Sequence, residues 1–331
     1  MSSIHDVAAL AGVSIKTVSR VVNRAPNVSS TLRERVTAAI RQLDYRPNQS
    51  ARRLAGGRSF MIAFLYNNPA PGYTGSIQIG AANRCRELGY HLVVEPIPLS
   101  GDERYEVLER LVAALRPDGA FLVPPLSDDP RMLQWLADLK LPCARIAGSV
   151  EAGSFNIATP ERRAGRMVAD HLIALGHRRI GVVTPPPSHR AAGLRVEGFK
   201  DGLVAGGLNA DDRLFVEGGF DFASGIAAGE ALLGLREPPT AIFATNDDMA
   251  LGVLTHAHRL GLRVPEQLSV IGFDDTPASL TAWPPLTTVR QPLERMGGAV
   301  IDALVERPET APEFVFELVE RDSCGPAPHA P

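Results

Sequence analysis

From Met61 onward the chain alternates two kinds of segment, and this alternation limits its possible folds more than any other feature. Short apolar runs occupy 61–66, 90–95, 119–123, 179–183, 240–244 and 268–273, and stretches with helical periodicity such as 76–88, 103–115, 161–175 and 246–260 lie between them. Strands that are apolar throughout need cover on both faces, which a parallel sheet receives from the helices that connect its strands. The span 58–320 is too long for one such sheet, so two doubly wound α/β lobes are expected. A tail is expected at 321–331, and its Pro- and Ala-rich part from Cys324 onward predicts disorder.

The first 58 residues are built differently. Ten Lys and Arg against three Asp and Glu give them a net charge of +7; the chain total is −3, so the remainder carries −10. A small basic head on an acidic body is the electrostatic footprint of a tethered nucleic-acid reader. Ile4, Val7, Ala8 and Ala11 recur at helical spacing. Gly12 then supplies a turn that needs left-handed backbone angles, and Ser14 is placed to cap a second helix. In that helix Val18, Val21 and Val22 face inward while Lys16 and Arg20 lie on an outer face. Ser29 or Ser30 caps a third helix, with Val36, Ala39, Ile40 and Leu43 closing a small core. This is the helix-turn-helix plan. Residues 48–54 form a segment too short for a stable isolated helix.

Other classes are disfavoured. The three cysteines Cys85, Cys143 and Cys324 are far apart and lack ligand spacing, which argues against a disulfide framework or zinc site. With no signal-like N-terminus and no membrane-length apolar run, a cytoplasmic protein without membrane association is expected. Glycine-rich nucleotide loops, a nucleophile elbow and metal-ligand clusters are all missing, so the chain reads as a non-enzyme with no cofactor and no metal. Adjacent Asp274 and Asp275 point apart on an extended chain and form no acid–base couple. His177 and His256 read as surface or helix-end residues.

The run Ile4 to Asn23 (IHDVAALAGVSIKTVSRVVN), followed by Tyr45-Arg46-Pro47-Asn48, resembles the head of the LacI/GalR family of transcription regulators. So do His171 to Gly181, Arg195 to Phe199, Thr245 to Gly252, Val270 to Asp275 and Pro285 to Val289 in the body. The resemblance spans about residues 4–320. It implies a helix-turn-helix head at 1–47, a hinge helix and linker at 48–58, and a periplasmic-binding-protein-like core at 59–320. One lobe of that core comprises about 59–159 plus 291–320, and the other 160–290. On DNA it places Ile15, Lys16 and Arg20 at base edges, where Arg or Lys suits guanine and Ile a thymine methyl. Thr17, Ser19, Asn23, Asn27 and Tyr45 fall at phosphates, with Asn48 opening the hinge. Leu54 is the expected minor-groove wedge and Ala51 lies near the groove floor.

The resemblance also implies a small-molecule effector between the lobes. A sugar needs planar side chains that exchange paired hydrogen bonds, plus an aromatic surface. Arg195, Asn246 and Asp274 are of the right types, and the last two follow expected strands, where α/β clefts open. Phe220 falls at an aromatic position of the family, Tyr66, Asn68 and Tyr73 come from the first lobe, and Gln291 sits at a lobe crossover. One departure is evident: Pro160 stands where many members carry an Asp, which leaves open both the contacts from that corner and a different effector. The implied function is a sequence-specific regulator, a repressor, acting as a homodimer on pseudo-palindromic operator DNA under control of a sugar. A purine- or other metabolite-responsive regulator, or a sugar-binding module without gene control, remain as alternatives.

Overall fold

The structure, a computed structural model, describes residues 2–22, 28–45, 58–67, 70–98, 101, 103–148 and 154–328, in two compact units, Met1–Ser59 and Phe60–Pro331. In the first unit, α1 (Ile4–Ala11), α2 (Ile15–Val22) and α3 (Ser30–Gln42) enclose Val7, Ala8, Ala11, Val18, Val21, Val36 and Ala39. Local chemistry sets each boundary. Ser3 and Asp6 form a reciprocal capping box at the start of α1. Gly12, at φ 60°, ends the helix in the left-handed region and returns its N–H to α1 carbonyls. Ser14 Oγ accepts from Thr17 N at 3.2 Å, and Ser29 caps α3. Arg35 donates to the Ala11 carbonyl at 2.6 Å, tying α3 to the turn between the first two helices.

The second unit contains two parallel sheets. The first has β1 (Met61–Tyr66), β2 (His91–Pro96), β3 (Gly119–Leu122), β4 (Cys143–Ile146) and β5 (Phe155–Ile157) in the order β2-β1-β3-β4-β5. Its connections carry α4 (Pro71–Leu88), α5 (Glu103–Leu115) and α6 (Pro130–Asp138). The second has β6 (Ile180–Thr184), β7 (Phe215–Glu217), β8 (Ala241–Ala244) and β9 (Ser269–Ile271) in the order β7-β6-β8-β9, with α7 (Glu161–Ala174), α8 (Arg190–Ala205), α9 (Phe222–Leu233) and α10 (Asp247–Arg259). Ile62, Ala63, Phe64 and Leu65 of β1 are all buried, as are all four residues of β8, which is the double-sided cover that unbroken apolar runs demand.

The chain passes between lobes repeatedly. After β5 it enters α7 of the second lobe. After β9 come α11 (Pro277–Thr281) and β10 (Thr288–Arg290), and then α12 (Leu293–Val305), which packs on α4, β3, β4 and β5 of the first lobe. β11 (Glu317–Val319) pairs antiparallel with β10 and leads back to the second lobe, where Ser323 bridges Thr287 N and the Val270 carbonyl. Glycines permit the tightest helix contacts. A Cβ on Gly198 would lie 1.8 Å from the Arg162 carbonyl, and one on Gly165 1.8 Å from that of Arg195, so α7 and α8 touch backbone to backbone.

Two expectations are overturned here. The stretch after Cys324 is folded through Pro328: Gly325 N bonds Ser269 Oγ at 3.1 Å and Ala327 N bonds the Leu175 carbonyl at 2.8 Å. Its composition offers little apolar mass, but hydrogen bonds to Ser269 of β9 and to the Leu175 carbonyl after α7 hold it instead. His177 is no surface residue. It is fully buried under this strap, with Nδ1 2.9 Å from Thr240 Oγ1 and Nε2 3.1 Å from both Ser269 Oγ and the Gly325 carbonyl. Burial lowers its pKa.

Candidate functional site

In the head, α2 divides cleanly into two faces. Val18 and Val21 are buried, while Ile15, Lys16 and Arg20 are exposed and Ser19 is half-buried between them. At 100° per residue these four fall within a single sector opposite the valines. Ile15 is a branched apolar side chain 42% exposed on the first turn, which packing inside the head does not explain. Thr17 is half-buried and its hydroxyl lies 2.9 Å from Ser14 Oγ, so it serves the cap. Tyr45 is half-buried against the head core, and burial raises its pKa. Asn23, Asn27, Asn48, Ala51 and Leu54, with the hinge segment, lie outside the described residues, as does Asn68 in the core.

The second unit holds a narrow cleft at the carboxyl ends of both sheets. The first lobe contributes Ala70, Tyr73, Pro124 and Ala147, which follow β1, β3 and β4. The second contributes Glu161, His189, Ala191, Ala192, Arg195, Phe220 and Asp274, from α7, the β6–α8 connection, the first turns of α8 and the segments after β7 and β9. Loops at these strand ends are where open α/β sheets take ligands. The backbone carries matching strain: Ala147 (φ 52°), Phe220 (φ 66°) and Asp274 (φ 116°) all have positive φ without being glycine. Such residues cost about 1–3 kcal/mol each and concentrate at functional sites.

Four of the expected contacts, Tyr73, Arg195, Phe220 and Asp274, meet in this cleft. Arg195 is nearly fully buried, and its Nε and terminal nitrogen lie 2.9 and 2.8 Å from Glu161 Oε2. It also donates to the Thr245 carbonyl, and its guanidinium carbon sits 3.3 Å above the Phe273 ring. Asp274 accepts from Gln291 Nε2 at 2.6 Å, so Gln291 stands one hydrogen bond behind the lining. Burial pushes the Asp274 carboxyl well up; Arg195 works against this and Asp247 adds to it. Tyr73 is likewise pushed up by burial.

Two expected contacts stand elsewhere. Asn246 is fully buried with both polar ends used inside its lobe: Oδ1 caps α10 at Met249 N (2.9 Å) and Nδ2 donates to the Phe220 carbonyl (3.0 Å). It positions the Phe220 backbone rather than lining the cleft. Tyr66 stacks on Phe64, ring centroids 5.1 Å apart, and is not a lining residue. Asp247 is tied to Thr276 N, Thr276 Oγ1 and Thr288 Oγ1 at 2.7, 3.0 and 2.6 Å, fixing the segment after Asp274 to β10.

Sequence reasoning missed two polar lining residues, Glu161 and His189. Glu161 directly follows Pro160, so a carboxylate does stand at the corner that was expected to lack one, a single position later and already paired with Arg195. His189 stacks on Phe220 at 4.4 Å and 14°, and its buried Nε2 has no hydrogen-bond partner among the described residues. Burial, with Arg195 adding, lowers its pKa to about 4, so it is neutral near pH 7. Nothing in Ser188-His189-Arg190 marks that role. Among the described residues no cluster of His, Cys, Asp or Glu could hold a metal ion, and no helix is long and apolar enough to cross a membrane.

One chain thus carries a small helical unit with a basic, partly apolar reading face and a two-lobed unit with a cleft for a small molecule. That pairing defines a ligand-responsive DNA-binding regulator. Residues 3–48 match the lacI family of bacterial regulatory proteins, and residues 169–324 match the periplasmic binding protein-like domain. The Lactose operon repressor of Escherichia coli K12 is 33% identical over 304 residues, covering 92% of this chain and 84% of that protein. The HTH-type transcriptional regulator CelR of Thermobifida fusca is 36% identical over 314 residues, covering 92% of this chain and 91% of that protein. A solved lac repressor dimer, bound to operator and the anti-inducer ONPF, superposes with a TM-score of 0.78 at 32% identity, covering 98% of this chain and 99% of that one. The chain belongs to the lacI family: it is a transcriptional regulator with a helix-turn-helix DNA-binding domain and an effector-binding core.

Proposed function

We propose that this protein is a repressor acting as a homodimer on a pseudo-palindromic operator, and that a sugar in the core cleft sets its operator affinity. The observation that carries the reading is the cleft itself. Both lobes contribute to it, its backbone is strained at three lining positions, and Asp274 links it through Gln291 to the crossover between β10 and α12. A ligand bridging Tyr73 of one lobe and Arg195 or Asp274 of the other would favour one arrangement of the lobes. That differential affinity is the whole content of allosteric coupling, typically about 1–3 kcal/mol. The relatives support the sugar: two are named as repressors of the lactose and ribose operons of Escherichia coli, and a solved CelR complex holds cellobiose.

A purine stacked on Phe220 is less well supported, because His189 already covers one face of that ring. Leu280 and Trp283, 61% and 83% exposed in and after α11, favour a self-associating surface. On DNA, Ile15, Lys16 and Arg20 read bases, while Ser19, Tyr45 and the residues around Asn23, Asn27, Asn48, Ala51 and Leu54 supply backbone and minor-groove contacts.

Selection of full-length protein on a random duplex pool tests the reading. Enrichment of one sequence with two half-sites related by two-fold symmetry is the expected result. Uniform recovery of all duplexes at the same salt, where binding is purely electrostatic, overturns it.

A further inference from the structure

The charges around the cleft restrict the effector more narrowly than "a sugar" does. The one lining cation among the described residues, Arg195, is already neutralised by Glu161 at 2.8 Å and anchored to the Thr245 carbonyl and the Phe273 ring. Asp274 is a second buried lining carboxylate, and its hydrogen-bond partner is an amide, Gln291 Nε2 at 2.6 Å, with no charge to offer. Asp247, also buried, stands close enough behind to raise the cost of charge on Asp274. Of the other polar lining atoms, His189 Nε2 is buried and has no hydrogen-bond partner among the described residues. Tyr73 contributes a hydroxyl; Ala70, Pro124, Ala147, Ala191 and Ala192 contribute no side-chain polar atom. Among the described residues, a carboxylate or phosphate entering here would meet no uncommitted lining cation; the Glu161–Arg195 pair sums to zero, and the anion would lose its hydration beside the buried Asp274 carboxyl with no opposite charge to replace it. A ligand hydroxyl, in contrast, can satisfy His189 Nε2 and share a hydrogen bond with Asp274.

We infer that the effector is an uncharged, hydroxyl-bearing molecule that pairs one hydroxyl with His189 Nε2, and that the cleft rejects carboxylate and phosphate derivatives of the same skeleton. This rests on the effector-cleft reading given above. The test is calorimetric titration of full-length protein with three matched series: neutral aldoses and their disaccharides, the corresponding uronic acids, and the corresponding sugar phosphates. A neutral compound binds, and its acid and phosphate bind at least tenfold more weakly. His189→Leu, which keeps bulk but removes the nitrogen, weakens the neutral ligand at least tenfold, and His189→Gln, which restores an acceptor and donors, recovers most of that loss. Glu161→Gln removes one negative charge and narrows the neutral-to-acid ratio.

A uronate or phosphate that binds as tightly as its neutral parent overturns the charge inference while leaving an effector cleft in place. An unchanged affinity in His189→Leu removes His189 from the contact. If no compound of any series binds, while the three series also leave affinity for the selected operator unaltered, the effector reading itself fails and this inference with it.

Discussion

Glu161→Gln isolates the buried ion pair on which the cleft is organised. Glu161 and Arg195 have side chains only 3% and 5% exposed, and both contacts to Arg195 use Oε2. Gln is isosteric and retains an acceptor, but it takes the paired counter-charge away from a buried guanidinium. Arg195 has no easy retreat, held as it is by the Thr245 carbonyl and the Phe273 ring. Removing one partner of such a pair typically costs about 3–5 kcal/mol. The same helix supplies a control. Arg166 and Asp170 form a pair of similar geometry at 3.2 Å, but with side chains 47% and 56% exposed. Water screens that pair, and Asp170→Asn is expected to cost no more than about 1 kcal/mol. Urea denaturation of the full chain followed by far-UV circular dichroism compares the two, with unfolding temperatures as a second readout. Glu161→Gln should lose about 3–5 kcal/mol and on the order of 10 °C. If it falls within about 1 kcal/mol of wild type, and so matches Asp170→Asn, then burial does not govern this pair and the reasoning is wrong.

Three further outcomes follow from the same geometry. His189 has its pKa lowered from 6.5 to about 4, so the unfolded chain takes up the proton first as pH falls. Its contribution is therefore complete above pH 6.5 and is lost between 6.5 and 4, by about 3 kcal/mol at 1.36 kcal/mol per pKa unit; His189→Gln should flatten that part of a stability-versus-pH curve, and identical slopes would refute it. Gly198→Ala should destabilise by about 3 kcal/mol or more, because the new methyl meets the Arg162 carbonyl. Gly193→Ala in the same helix meets nothing within 4 Å and should stabilise by up to about 1 kcal/mol, so thermal melts of equal midpoint would contradict the packing argument. Arg20→Ala should cost about 1–3 kcal/mol on the selected operator and relax base preference at one position per half-site. Equal losses on selected and random duplexes would make Arg20 a phosphate contact.

The parts of this molecule legible in its sequence are those with long, unambiguous patterns. The apolar runs at β1, β6 and β8 and the periodic stretches of α5, α7 and α10 announce the parallel α/β core, and Gly12 with Ser14 announces the turn between α1 and α2. The strands β4, β5, β7, β10 and β11 span only three or four residues each, too few to show a period. Helix α8 hides its packing face, because Gly198 and Gly202 make contact through lacking a side chain rather than through an apolar one.

In the cleft, residue type and the resemblance pointed to Arg195, Asn246 and Asp274, of which the structure places the first and last in the lining and Asn246 behind it. An asparagine that opens a helix is equally suited to cap or ligand, and only the position of the Phe220 carbonyl decides for positioning. Pro160 read as the loss of a carboxylate, whereas the next side chain, Glu161, reaches the same cleft. His177 and the strap over it were misread because a contact between residues 177 and 325 leaves no local trace.

The most direct test of the central claim, that cleft and reading head are coupled, is reciprocity. The operator affinity is measured by fluorescence anisotropy with and without the saturating neutral ligand found by calorimetry, and the ligand affinity is measured with and without saturating operator. Coupling predicts that both affinities change by the same factor, between about 5- and 150-fold, whichever sign the effect takes. If the ligand binds tightly in the cleft yet neither affinity changes, the two sites are independent and the claim of control is contradicted.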